Sequence, residues 1–281
     1  MEKHSIFFKS LFMACLVSAC FLASGCGQNI LSGFEPDISN LSDSLDKAQS
    51  AEDYSAIADA ATGVIDSTTS TDEEKEAAYL ARAEARLGQQ DVGTLDVFED
   101  IVTAIDSDGD TLDILTVSAD VSELINSSND INEAETLAGS NGLTDEQNVL
   151  KAVTNTMIIV NRFNANFDID DNSEVQRKNT ALSYETSLTN FVTIPDNLGI
   201  YNTRARDGFN NANFLSESQL EQVNEVTTDT TAVVALQAAV ANNQDYTYSG
   251  TTYTFSATPT TNGDTARETK IKNALSAIYG D

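Results

Sequence analysis

The chain has 281 residues, with 15 Lys and Arg against 44 Asp and Glu and a formal net charge of −29. A field of that sign repels phosphate backbones and anionic headgroups, which excludes nucleic acid as an expected partner. The single histidine, His4, and all three cysteines, Cys15, Cys20 and Cys26, fall within the first 26 residues. Beyond Cys26 no residue remains for Ser-His-Asp or Cys-His catalysis, for zinc sites built on His or Cys, or for haem ligation by those side chains.

The chain opens on a short basic stretch carrying Lys3 and Lys9, followed by the apolar run LFMACLVSACFL over 11–22. That run suits the core of a signal peptide and is too short for the roughly 20 residues of a membrane span. Leu22-Ala23-Ser24-Gly25-Cys26 comes directly after it.

This arrangement resembles the lipobox of bacterial lipoproteins. The resemblance implies cleavage of residues 1–25, a diacylglyceryl group on the sulfur of Cys26 and acylation of the new amino terminus. Val17-Ser18-Ala19-Cys20 matches the same pattern and makes Cys20 a rival attachment point. Gly27 rather than Asp follows the cysteine, which resembles the outer-membrane sorting choice of enterobacterial lipoproteins. The implied location is therefore the outer membrane, facing the periplasm. Several acyl chains give stable anchoring where a single one gives marginal binding.

Residues 26–40 mix turn formers with few apolar side chains and read as a tether. The remainder, 41–281, reads as one all-α domain of antiparallel helical hairpins with one small β-hairpin near its C-terminus. Capping-box tetrapeptides mark helix starts: Thr71-Asp72-Glu73-Glu74 before a helix over 75–88, Thr144-Asp145-Glu146-Gln147 before 148–163, Ser173-Glu174-Val175-Gln176 before 177–192, and Ser216-Glu217-Ser218-Gln219 before a fourth. Val149, Val153, Met157 and Val160 recur at helical spacing, with Leu150, Ile158 and Ile159 widening the stripe, so this helix is expected at the centre. Thr231 to Ala241 is apolar nearly all round and is expected to be buried.

Tyr246 to Phe255 alternates aromatic and polar residues about Ser249-Gly250. A two-residue turn there puts Tyr246 opposite Tyr253 and Tyr248 opposite Thr251, within a β-hairpin over 245–255. Its aromatic face suits packing against the helices, with stacking on a sugar as the functional alternative. A last helix is expected over 265–279.

In residues 41–105 the spacing of Tyr54, Ala60, Ala61, Val64 and Ile65, and of Ala78, Leu80, Ala81, Ala83 and Ala85 with Leu87-Gly88 after them, resembles a tetratricopeptide repeat. Residues 77–102 look like a whole repeat, with Leu95, Phe98 and Ile101 on the second helix's inner face. The resemblance implies binding of a protein or peptide on a helical surface and implies no chemistry.

Acidic residues supply the remaining candidates. Asp106, Asp108 and Asp110, with Gly109 between and Asp113 beyond, place oxygen ligands at alternating positions and suit calcium, although the EF-hand Gly and Glu positions are unmatched. The competing reading makes Asp108-Gly109 a helix end and Asp110 a cap. Asp168, Asp170, Asp171 and Asn172 repeat the ambiguity. Glu221 and Glu225 lie one helical turn apart, like an acid and base pair, but solvated helix charges explain them as well.

Beyond calcium no cofactor is expected. The functional expectation is a lipid-anchored, non-catalytic scaffold or adaptor that binds another envelope protein. The alternative is a solute-binding accessory lipoprotein of a transporter, with a pocket between helices.

Overall fold

The structure, a computed structural model, describes residues 39–106, 119–170, 172–255 and 265–279. The elements are α1 (Ser39–Leu45), α2 (Ala51–Asp66), α3 (Asp72–Gln89), α4 (Thr94–Asp106), α5 (Val121–Ala138), α6 (Asp145–Asn166), β1 (Phe167–Ile169), β2 (Val175–Arg177), α7 (Tyr184–Thr193), α8 (Leu198–Asn211), α9 (Glu217–Ala241), β3 (Tyr246–Tyr248), β4 (Thr251–Tyr253) and α10 (Thr265–Tyr279). The protein is mostly helical, with two small antiparallel hairpins. Among the described residues no helix is long and apolar enough to cross a membrane.

Local chemistry sets the helix starts. Thr71, Thr144 and Ser216 each accept the backbone N–H three residues on, and Glu74, Gln147 and Gln219 reach back to the cap's own N–H at 2.7, 2.8 and 2.9 Å. Such reciprocal caps satisfy two donors that a helix otherwise leaves open, each worth about 1 kcal/mol. At the end of α3 the chain turns through Asp91 at φ 57, and Val92 N–H returns to Leu87 O at 3.1 Å. That closure caps the last carbonyls in the Schellman manner.

Helices α2, α3, α5, α6 and α8 form a row in which each packs on the next. Neighbours run antiparallel. Arg82 and Arg86 of α3 meet Asp130 and Glu123 of α5, Ser128 and Glu135 of α5 meet Asn155 and Lys151 of α6, and Arg162 and Asn148 of α6 lie beside Asp196 and Gly208 at the two ends of α8. Every side chain of α6 from Gln147 to Val160 is buried, which gives the expected central helix. Its polar groups bond locally where they cannot reach water: Asn155 Nδ2 donates to Lys151 O and Thr156 Oγ1 to Ala152 O. Phe163 at its C-terminal end meets Phe191 of α7 and Tyr279 of α10 edge-on, at 5.7 and 5.0 Å.

Buried charges lock the row. Asp130 is 4% exposed and takes Arg82 through both oxygens, Nε at 3.0 Å and Nη2 at 2.6 Å, with Arg86 Nη1 adding a third bond at 2.8 Å. Thr62 of α2 receives Arg82 Nη1 at 3.1 Å, so one network ties α2, α3 and α5 together. Lys151 of α6 pairs with Glu135 of α5 at 2.7 Å, and Arg267 of α10 with Glu185 of α7 at 2.8 Å.

Several expectations are corrected. Ser173-Glu174-Val175-Gln176 caps no helix: Ser173 has φ 58 and sits in the turn of an antiparallel hairpin pairing β1 with β2. The Asp170 carboxylate decides this by accepting the N–H groups of Asn172 and Glu174, and Val175 inserts into the core. The expected helix over 177–192 starts instead at Tyr184, with Ser183 as its cap. The helix capped by Ser216 runs unbroken over Glu217–Ala241. Within it Val233, Leu236 and Val240 are buried while Ala235, Ala238 and Ala241 face solvent, so the Thr231 to Ala241 stretch is buried on one side only.

The whole repeat suggested by residues 77–102 is not made, because α4 leaves α3 and lies against α6 and α9. Phe98 and Ile101 are buried as expected, but in that other interface. The β3–β4 hairpin has the expected register, Tyr246 opposite Tyr253 and Tyr248 opposite Thr251, closed through Ser249 and Gly250 at φ 46 and 79. The final helix spans Thr265–Tyr279 as expected.

Candidate functional site

The sequence-derived candidates fall in different places. Cys26, Asp108, Asp110 and Asp113 lie outside the described residues, and Asp106 ends α4 with its side chain likewise undescribed. Among the described residues no three His, Cys, Asp or Glu side chains converge as a metal site.

Asp168, Asp170 and Asn172 fall in the β1–β2 hairpin, while Asp171 lies outside the described residues. Of these, the Asp170 oxygens close the turn. Asp170 accepts Glu174 N, Asn172 N and Gln176 Nε2, bonds to the charged form that hold its carboxyl below the usual range. Asp168 is paired with Lys178 at 3.1 Å and Glu174 with Lys272 at 2.6 Å. Glu221 is exposed on α9, and the side chain of Glu225 lies outside the described residues.

The aromatic hairpin is turned onto the helices. Tyr246 stacks on Tyr248 and Tyr253 at 6.5 and 6.4 Å, and its hydroxyl donates to Ala232 O of α9. Tyr248 donates to Asp229 at 3.0 Å, and Phe255 lies buried under the Arg267 guanidinium. This is the packing arrangement, with Tyr246 and Phe255 buried and Tyr248 and Tyr253 half-buried.

A cluster that the sequence reading did not single out lies between α6 and α8. Arg162, on the last turns of α6, is 3% exposed. Its Nη1 donates to the Asp196 carbonyl at 2.9 Å, while Nε and Nη2 are buried with no acceptor among the described residues. Tyr201 of α8 donates to Asp196 Oδ2 at 3.0 Å. Arg204, one turn further along α8, reaches Ser128 Oγ at 2.8 Å and Asn129 Oδ1 at 3.2 Å. Burial disfavours the charged form of both arginines and lowers their pKa values. No family model, curated protein or solved structure matches this chain. A lone cation inside the apolar run from Met157 to Phe163 was the available signal for this cluster.

Burial, and then the bond to Asp196, pushes the Tyr201 hydroxyl up to about 12, and burial does the same at Tyr246. The sign follows directly. A folded-state value above the unfolded value of about 10 contributes stability that is whole below pH 10 and is lost as pH rises towards 12. Unfolding free energy from urea titrations at pH 9, 10 and 11 is expected to fall slightly up to pH 10 and more steeply above it, towards a limiting slope of about 1.4 kcal/mol per pH unit for each tyrosine. Tyr201→Phe removes its share of that slope, and an unchanged slope contradicts the assignment.

Proposed function

We propose that this protein is a non-catalytic helical adaptor of the bacterial cell envelope, anchored by lipid on Cys26 and binding another envelope protein. The lipobox-like segment ending at Leu22-Ala23-Ser24-Gly25-Cys26 supports the anchor. The observation that carries the adaptor reading is where the buried ions point. Asp130 with Arg82 and Arg86, Lys151 with Glu135, and Arg267 with Glu185 all join one helix to another instead of converging on a cleft. Such a row is a rigid platform whose function lies on its surface. Ile194 and Ile200, 56% and 47% exposed, flank the connection between α7 and α8, and Phe214 is exposed before α9. Large apolar side chains at a polar surface are the features that binding uses. The charge of −29 selects a partner with a basic face and makes its association weaken with salt.

Replacing Cys26 by Ala is expected to move the protein from the membrane pellet to the soluble fraction of lysed cells. Retention in the pellet, unchanged by high salt, contradicts the anchor. For the adaptor, photoreactive residues at Ile194 and Phe214 are expected to yield one discrete cross-linked product in intact cells. Absence of any product at both positions counts against it. The second reading is the solute-binding accessory of a transporter, and the unpaired edge of Arg162 is the observation that favours it.

A further inference from the structure

Three arginines of this chain can be compared through the same edge of the guanidinium. Arg82 sets Nε and Nη2 on the two oxygens of Asp130 at 3.0 and 2.6 Å. Arg267 sets Nε and Nη2 on Glu185 at 2.8 and 3.2 Å. Arg162 buries that same edge with neither nitrogen on an acceptor, and only Nη1 is engaged, on the Asp196 carbonyl. A buried guanidinium with two unpaired N–H groups is an expensive arrangement that folded proteins rarely keep without a partner.

We propose that the Nε/Nη2 edge of Arg162 is the binding fork for a small organic monocarboxylate. The two parallel donors match a planar pair of oxygens, as Asp130 and Glu185 demonstrate for the other two arginines. Charge selects a monoanion. A monocarboxylate adds one negative charge beside the Asp196 carboxylate, which lies close enough to interact with Arg162, whereas a phosphate dianion adds two. Entry is through the connection 194–197. Its residues are exposed, and Asp196 is held to the site by Arg162 Nη1 on its carbonyl and by the Tyr201 hydroxyl on its carboxylate. Both fork nitrogens are covered, so binding requires this connection to move aside. The inference rests on the solute-binding reading. Its failure leaves the adaptor reading intact, and a failed cross-linking experiment leaves this site untouched.

The test uses the full chain in detergent, labelled with ¹⁵N arginine and titrated with acetate, phosphate or chloride at constant ionic strength. Acetate is expected to shift one Nε–H resonance saturably, and Arg162→Lys removes that resonance while lowering acetate affinity at least tenfold. Phosphate and chloride are expected to bind at least tenfold more weakly than acetate. Equal acetate affinity in Arg162→Lys, no saturable shift in the wild type, or tighter binding of phosphate overturns the proposal. Asp196→Asn separates the internal rival, in which the Asp196 carboxylate itself swings onto the fork. Acetate binding to Asp196→Asn but not to the wild type assigns the fork to Asp196 and overturns the proposal, whereas binding to both supports it.

Discussion

Replacing Asp130 by Ala is expected to destabilise the protein by about 3–5 kcal/mol, the penalty for leaving buried charge uncompensated. Asp130 accepts both parallel N–H groups of Arg82 and a further bond from Arg86, and it is almost fully covered by α3 and α5. Its bond to Arg82 raises the arginine's pKa against the opposing effect of burial, so this carboxylate offsets the cost of covering the cation. Without Asp130, Arg82 retains the Thr62 hydroxyl and the face of the Tyr79 ring, and Arg86 a longer contact of 3.7 Å to Glu123. Whole domains are stable by roughly 5–15 kcal/mol, so this one change removes a large fraction of the total. The pairing itself is close to neutral against apolar packing. Replacing Arg82, Arg86 and Asp130 together by Met, Met and Leu is therefore expected to restore most of the loss. Urea unfolding of the two variants separates the accounts. A loss below about 1 kcal/mol in Asp130→Ala would show that the arginines escape to solvent and that the network does not lock α2, α3 and α5.

The second large effect is expected at Gly208, where α8 crosses α6. A Cβ at this position meets the backbone itself, Ala152 N and Asn148 O both at 2.7 Å and Ala152 Cα at 3.0 Å. No side-chain rotation relieves those contacts, so the helices must separate along an interface that holds the centre of the core. Gly208→Ala gains about 1 kcal/mol of helix propensity and still is expected to lose roughly 2 kcal/mol net, with Gly208→Val losing more. Gly63 supplies the control. It lies exposed within α2 with nothing within 4 Å of its Cβ position, so Gly63→Ala is expected to stabilise by about 1 kcal/mol. The same measurement of opposite sign at two helical glycines isolates close packing from propensity. Stabilisation by Gly208→Ala would remove the tight α6–α8 crossing from this account.

What the sequence disclosed follows the range of the interactions concerned. Thr71, Thr144 and Ser216 act within four residues, so their capping boxes are readable and correct. The Tyr246 to Tyr253 register was legible for the same reason, since Ser249-Gly250 and the alternation on either side specify it locally. Ser173 shows where the pattern misleads. Its tetrapeptide is as good as the others, but the Asp170 carboxylate accepts the N–H groups of Asn172 and Glu174, the Asp170 carbonyl takes that of Ser173, and the chain folds into a turn. The direction taken by α4 was not legible, because Phe98 and Ile101 state only that one face is apolar and not which helix will cover it. The partners of Asp130 and Arg162 were hidden for the same reason. Arg82 and Asp196 lie far from them along the chain, and only the folded row brings them together.

An envelope-anchored adaptor requires a lipid-bearing Cys26, and the mass of the protein as cells make it tests this directly. Extraction from the membrane in detergent, followed by tandem mass spectrometry of the amino-terminal peptide, is expected to give a chain beginning at Cys26 with an acylated amino group and a diacylglyceryl thioether. A chain beginning at an unmodified residue would contradict the anchored adaptor, and one beginning at an acylated Cys20 would contradict the attachment point.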